Sequence, residues 1–271
     1  MKRSTALALF SVGVALYCLV PFVWFVLTSL KSSAELTAIP PLWVPSFHLN
    51  FYRSALEKYG LLHYIVNSVI VAGSATLVTV VVGSLAAYAI ARFDLQWTNV
   101  YLLVLLAISM FPQIAIAGPV WTILEWLAWL NTYQGLVAAY VALSLPLAIW
   151  ILTTFFRDVP SEIEEAALID GCSRLQALCK IVLPLAAPGI LTAALLVFIY
   201  AWNEFFFALI IMTDPNVQTL PVGIALFPGE YTMPWGEIAA ASTMATIPLI
   251  LLTLIFQRGI VRGLSAGAIQ G

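Results

Sequence analysis

Six apolar runs, each close to the length of a bilayer crossing, set the limits on what this chain can become. They cover about 7–30, 65–91, 99–118, 134–156, 190–212 and 238–258. A helix needs about 20 apolar residues to cross the hydrocarbon core. Inside that core every backbone N–H and C=O has to be paired internally, which selects helices or closed barrels. Runs this long read as helices. Of the 271 residues, 62% are hydrophobic and 9% charged, whereas soluble domains carry roughly 25% charged residues. No soluble fold of this size could hide so much apolar surface. The expected class is all-α: a polytopic membrane protein with six transmembrane helices, one domain over 1–271 with its core at about 65–258.

The N-terminal run follows Lys2 and Arg3, as a signal peptide would. From Ala6 to Leu30 it is too long for a signal h-region and has no small-x-small cleavage site after it, so it reads as an uncleaved first span. ALYC at Cys18 is a poor lipidation site because Tyr17 is large. Between the third and fourth spans, Trp121, Trp126 and Trp129 surround Glu125 in ILEWLAWL. That stretch reads as a short interfacial helix, or as an extension of the third span. Prolines 21, 112, 119, 146 and 248 fall within or beside spans, where they should kink or end helices. With the N-terminus inside, Lys2, Arg3, Arg92, Arg157, Arg174, Lys180, Arg258 and Arg262 are cytoplasmic, and Lys31, Arg53 and Lys58 are outside. Eight basic residues against three orient both termini to the cytoplasm.

Several function classes drop out. A net charge of −2 gives no footing for nucleic acid. His48 and His63 are far apart, so no metal site is expected. Cys172 and Cys179 would face the cytoplasm and stay reduced. None of the four lysines follows a glycine, which excludes a P-loop ATPase. No nucleophile and base are paired, so no catalytic residue is expected.

One polar stretch interrupts the apolar chain, EEAALIDGCSRLQALCKIVLP, from Glu164 to Pro184. Ser161 and Glu164 have capping-box spacing. Glu162, Glu164 and Glu165 suit the positive end of a helix dipole. Ala166 and Ala167 add helix propensity, and Asp170-Gly171 supplies a turn. A second helix is expected from about Ser173 to Val182, stopped by Pro184. The outcome is a cytoplasmic hairpin over 157–184, either a docking element or an ordinary connection.

Glu165-Ala166-Ala167, Gly171, Ile181, Leu183 and Pro184 keep the spacing E-A-A-x3-G-x9-I-x-L-P. That spacing resembles the EAA signature of permease subunits in binding-protein-dependent ABC importers. Tyr200 to Phe205, Thr219 to Gly223 and Gly263 to Gly267 extend the resemblance to the carbohydrate-uptake branch along nearly the whole chain. The resemblance implies a coupling helix between spans 4 and 5 that docks into an ATPase subunit through Glu162, Glu164, Glu165, Ala166, Ala167, Asp170 and Gly171. It implies a homologous permease partner in a heterodimer, two ATP-binding subunits and an extracytoplasmic sugar-binding protein. The chain would have no cofactor of its own, ATP and Mg being held by the partner ATPase. It would lie in the bacterial inner membrane, in contact with lipid.

Glu204 is the single acid within the spans as drawn. It lines the translocation path together with Trp202 and Asn203, or it locks packing against a neighbouring helix. The resemblance further makes 213–237, expected as an ordered loop without helix, an outer segment that meets the binding protein; Tyr231, Met233 and Trp235 are its candidate contacts, or part of an aromatic belt at the membrane interface. The tail 259–271, with glycine at every fourth position, would reach the ATPase. The function expected is sugar import by alternating access. The alternatives are an ABC permease for a non-sugar solute and an ion-coupled secondary transporter.

Overall fold

The computed structural model describes residues 2–39, 43–93, 96–227 and 233–268, and among them every regular element is helical. In chain order these are α1 (Lys2–Ser29), α2 (Ser33–Leu36), α3 (Asn50–Glu57), α4 (Leu61–Arg92), α5 (Thr98–Ser109), α6 (Gln113–Trp126) and α7 (Tyr133–Arg157). There follow α8 (Ser161–Ile169), α9 (Arg174–Ala177), a π-helical turn (Leu178–Val182), α10 (Leu183–Leu185), α11 (Ala187–Asn203), α12 (Phe206–Ile211), α13 (Leu220–Ala225) and α14 (Trp235–Ala268).

Four stretches are long and apolar enough to cross a membrane unaided: Leu9–Ser29, Leu61–Arg92, Tyr133–Arg157 and Trp235–Phe256. The third expected span is broken. Its two halves, Val100–Ser109 and Gln113–Trp126, meet at 90°. Pro112 begins the second half and has no N–H to carry the first onward. ILEWLAWL supplies the last turn of α6 rather than a separate helix. Pro21, Pro119, Pro146 and Pro248 sit inside continuous helices.

Arg174–Leu185 and Ala187–Asn203 are also bent, by 81°. The first member carries Arg174, Gln176 and Lys180, so it belongs outside the hydrocarbon. The 17 residues of α11 rise about 25 Å, short of the ~30 Å core, and the 6 residues of α12 beyond a break make up the difference. Counting the third and fifth as broken crossings gives six.

The chain divides into two compact units, one of 1–65 and 222–249, the other of 66–221 and 250–271. In the first, α1 is exposed along its apolar length, as a helix surrounded by lipid or by another subunit would be. Ser32 and Glu35 form a capping box on α2. Hydrogen bonds from Ser46 and from the Ser32 backbone pull the Glu35 carboxyl down to about 2. Ser29 Oγ and Tyr52 Oη lie 2.7 Å apart, Ser54 Oγ donates to Glu237 at 3.2 Å, and Tyr59 stacks on Phe227 at 4.4 Å.

In the second unit α7 is the spine. Leu136, Tyr140, Leu152 and Phe156 on it are fully buried. Gly189 lets α11 approach so closely that a Cβ there would overlap the Phe155 ring. One expectation fails elsewhere. The segment 213–237 contains helix α13, because Pro221 occupies a first-turn position where its missing N–H is harmless. The backbone of α14 continues past Arg258 to Ala268, so most of the expected tail is helical.

Candidate functional site

The polar hairpin forms between α7 and α11 as helix, turn, helix. Gly171 has φ +91°, Gly171 N–H donates to the Leu168 carbonyl at 3.1 Å, and Cys172 N–H donates to the Ala167 carbonyl at 3.0 Å. This pair of bonds is a Schellman motif, and its left-handed position favours glycine. The expected Ser161–Glu164 capping box does not form. Pro160 is the N-cap of α8, with no side-chain cap. Ser173 and Gln176 cap α9 instead. The second helix passes through a π turn in which Leu183 N–H reaches the Leu178 carbonyl, and Pro184 lies within α10 rather than ending the helix.

Glu164 is occupied elsewhere. Its carboxylate is 3% exposed and accepts from Arg92 Nε at 2.7 Å and from the Tyr88 hydroxyl. Arg174 lies 3.8 Å away. Arg92 also donates to the Val159 carbonyl at 2.7 Å. Breaking such a buried pair from one side costs about 3–5 kcal/mol. Glu164 and Ala167 therefore face the chain's own core, whereas Glu162, Glu165, Ala166, Asp170 and Gly171 stay exposed. Beside them lie exposed Ile163, Leu175 and Ile169, the last 86% accessible. The sequence reading passed over these three. Their signal was three large apolar side chains on short helices among charges, with no core available to take them.

The second candidate lies in the fifth crossing. After Asn203 the helix opens, and Glu204 takes an extended conformation, φ −67° and ψ 125°. Its carboxylate accepts from Phe207 N–H at 2.9 Å, Ala208 N–H at 3.1 Å and the Tyr140 hydroxyl at 2.7 Å. It thus caps α12 and ties it to α7. The same break opens a cleft of about 440 Å3 lined by Gln113, Ile199, Tyr200, Asn203, Glu204, Phe205 and Phe206. Gln113 Nε2 donates to Tyr200 Oη at 3.0 Å across it. Asn203 and Glu204 reach this cleft, whereas Trp202 is buried and stacked on Phe198. Tyr200 and Phe205 entered from sequence only as carriers of the resemblance, and Gln113 and Phe206 not at all; Gln113 beside the Pro112 break was the available clue.

Near the start of α4, Asn67 is buried and donates to the carbonyls of Asn216 at 3.2 Å and Gln218 at 2.8 Å, while accepting from the Tyr133 hydroxyl at 2.7 Å. Ser68 Oγ accepts from Leu220 N–H at 2.7 Å. These bonds seat the start of the 213–237 segment on α4. Asn67→Leu leaves two carbonyls and a hydroxyl without their partner, at about 1–3 kcal/mol each where water cannot enter. Amide exchange at 216–220 should accelerate at least tenfold, with the middle of α7 unchanged. Met233 and Trp235 are exposed beside a cleft of about 490 Å3 shared with Phe51 and Tyr59. Tyr231 lies outside the described residues. No group of three metal-ligating side chains occurs among the described residues.

Comparison with known proteins fits this geometry. Residues 79–266 match the family described as "Binding-protein-dependent transport system inner membrane component". The chain is 45% identical over 267 residues to the trehalose/maltose transport system permease protein MalG of Thermococcus litoralis, covering 95% of this chain and 93% of that one. It is 41% identical to the sulfoquinovosyl glycerol transport system permease protein SmoH of Agrobacterium fabrum, covering 93% and 89%. It is 38% identical to the trehalose transport system permease protein SugB of Mycobacterium tuberculosis, covering 100% and 99%. A solved structure, of a bacterial ABC transporter involved in the import of the acidic polysaccharide alginate, superposes with TM-score 0.79 at 21% identity, over 93% of this chain and 94% of that one. The shared family, the broken apolar crossings and the hairpin between the fourth and fifth of them place this chain among the inner-membrane components of binding-protein-dependent transport systems.

Proposed function

We propose that this chain is one of two homologous permease subunits of an ATP-driven sugar importer in a bacterial inner membrane, with both termini in the cytoplasm. Two ATP-binding subunits hold ATP and Mg and do the hydrolysis. An extracytoplasmic sugar-binding protein delivers the substrate at the outer segment, where Met233 and Trp235 are exposed. The observation that carries the reading is the outer face of α8. A helix outside the hydrocarbon that presents Ile163 and Ile169 among Glu162, Glu165 and Asp170 is built to be covered by another protein. Closure of the ATPase pair moves that helix, and the crossings open alternately to the two sides.

The substrate class follows from two supports. The relatives' names are those of trehalose, maltose and sulfoquinovosyl glycerol systems. The cleft at the Glu204 break combines amides with aromatic rings. Amides suit sugar hydroxyls and ring faces suit sugar C–H faces.

The test is reconstitution of this chain with its neighbouring permease, ATPase and binding-protein partners in liposomes. Sugar-dependent ATP hydrolysis and uptake are expected, with uptake lost in Gly171→Asp, which places a side chain at φ +91°. Hydrolysis stimulated only by a non-sugar solute would overturn the substrate class. Uptake by the purified chain alone, without ATP, would overturn the importer.

A further inference from the structure

We infer that Glu164 is a positioning residue that fastens the docking helix α8 to the cytoplasmic end of α4, so that displacement of α8 is delivered directly to the second crossing. The inference rests on the proposed role of α8 as the element an ATPase moves. Chain connectivity links α8 only to α7, through 158–160, and to α11, through 170–186. Nothing covalent nearby joins it to α4. One buried carboxylate does the joining. Tyr88 and Arg92, four residues apart and so on one face of α4, both donate to it. Arg92 simultaneously donates to the Val159 carbonyl in the link leading into α8. Arg174, from beyond the turn, approaches the same carboxylate, and its guanidinium lies over the Phe93 ring at 5.3 Å. Phe93 in turn meets Tyr88 edge-on at 6.3 Å. The end of α4, the entry to the hairpin, α8 and α9 therefore converge on one side chain.

The apolar contacts beneath are of a different kind. Ala87, Val159, Leu178 and Val182 pack together, but apolar packing is non-directional and tolerates sliding. A desolvated, fully hydrogen-bonded charge network specifies one arrangement. Glu164 thus decides whether α4 and α8 move as one body. It differs in this from Glu165, one position on, which is exposed on the docking face.

The experiment uses the whole transporter in proteoliposomes and reads substrate transported per ATP hydrolysed. Glu164→Ala and Glu164→Gln should still co-purify with the ATPase subunits and hydrolyse ATP, while transport per ATP falls at least tenfold. Spin labels at Leu85 and Ser161, with Cys18, Cys172 and Cys179 replaced by serine, should report one narrow distance in the parent, unchanged between nucleotide-free and ATP-bound states. That distance should broaden in both variants. Should the alanine variant fail to assemble, the near-isosteric glutamine decides. A glutamine variant within twofold of the parent in transport per ATP, with an unbroadened distance, overturns the inference. A parent complex without ATP-driven uptake would instead overturn the proposed function, and the label distances alone would then judge the clamp.

Discussion

Exchange of Glu204 for leucine should lower stability by about 5 kcal/mol and abolish uptake through loss of the fifth crossing's shape. Three donors converge on this carboxylate: Phe207 N–H, Ala208 N–H and the Tyr140 hydroxyl. Glu204 is 6% exposed and Tyr140 is fully buried. Leucine matches the volume and accepts no hydrogen bond, so each donor is orphaned at about 1–3 kcal/mol. Melting of the detergent-solubilised protein should fall by about 10 °C. Glu204→Gln keeps one acceptor oxygen and should lose about half as much. Tyr140→Phe removes one donor and leaves the cap of α12 intact, so it should cost the least of the three. In the double variant Tyr140→Phe with Glu204→Gln, the two effects should not add, because the residues touch. A Glu204→Gln protein that melts as the parent does and yet imports nothing would assign the carboxylate to the substrate path rather than to the lock.

The contrast between Glu204 and Pro112 explains what could be read in advance. Both mark a break in a crossing. Pro112 is legible because its missing N–H is a property of the residue itself. The break at Glu204 has no proline or glycine. It exists because a carboxylate finds two backbone donors just ahead and a tyrosine hydroxyl 64 positions earlier, and only the folded chain brings that tyrosine near. The capping box at Ser161 failed for the same reason. The local pattern was present, but Tyr88 and Arg92, 76 and 72 residues away, hold Glu164. A box did form at Ser173–Gln176, where no distant group competes. Number and order of the crossings were legible because hydropathy over 20 residues is a sum that no single contact overturns. The turn at Gly171 was legible because φ > 0 has few solutions among side chains. Which residues of α8 face outward was not, since that depends on where α4 ends.

A methyl group added at Gly135 should be nearly as damaging as the loss of Glu204, for a steric reason. Gly135 opens α7 just after the turn from α6, and a Cβ there would overlap the Trp129 carbonyl oxygen. Backbone cannot swing aside as a side-chain tip can. That carbonyl is itself engaged, accepting from Thr132 Oγ1 at 2.7 Å, while Gly135 N–H donates to the same hydroxyl at 3.2 Å. The turn already holds Ala128 and Asn131 at φ 56° and 55°, conformations that cost a non-glycine residue about 1–3 kcal/mol each and persist only where the surroundings enforce them. Asn131 is also the clip for the stretch that follows α12. Its N–H donates to the Ile211 carbonyl at 3.0 Å, and its Oδ1 accepts from Asp214 N–H at 2.8 Å. Gly135→Ala must therefore displace the turn, and with it the place where α12 hands over to 213–219. The expected cost is about 3 kcal/mol, with faster proteolysis at 213–219 in whatever protein folds. Gly73→Ala, a helical position in α4 with nothing within 4 Å of the added carbon, should be neutral or stabilising by about 0.5–1 kcal/mol. Equal melting temperatures for the two alanine variants would show that the α6–α7 turn yields freely, and that 213–219 is not held from it.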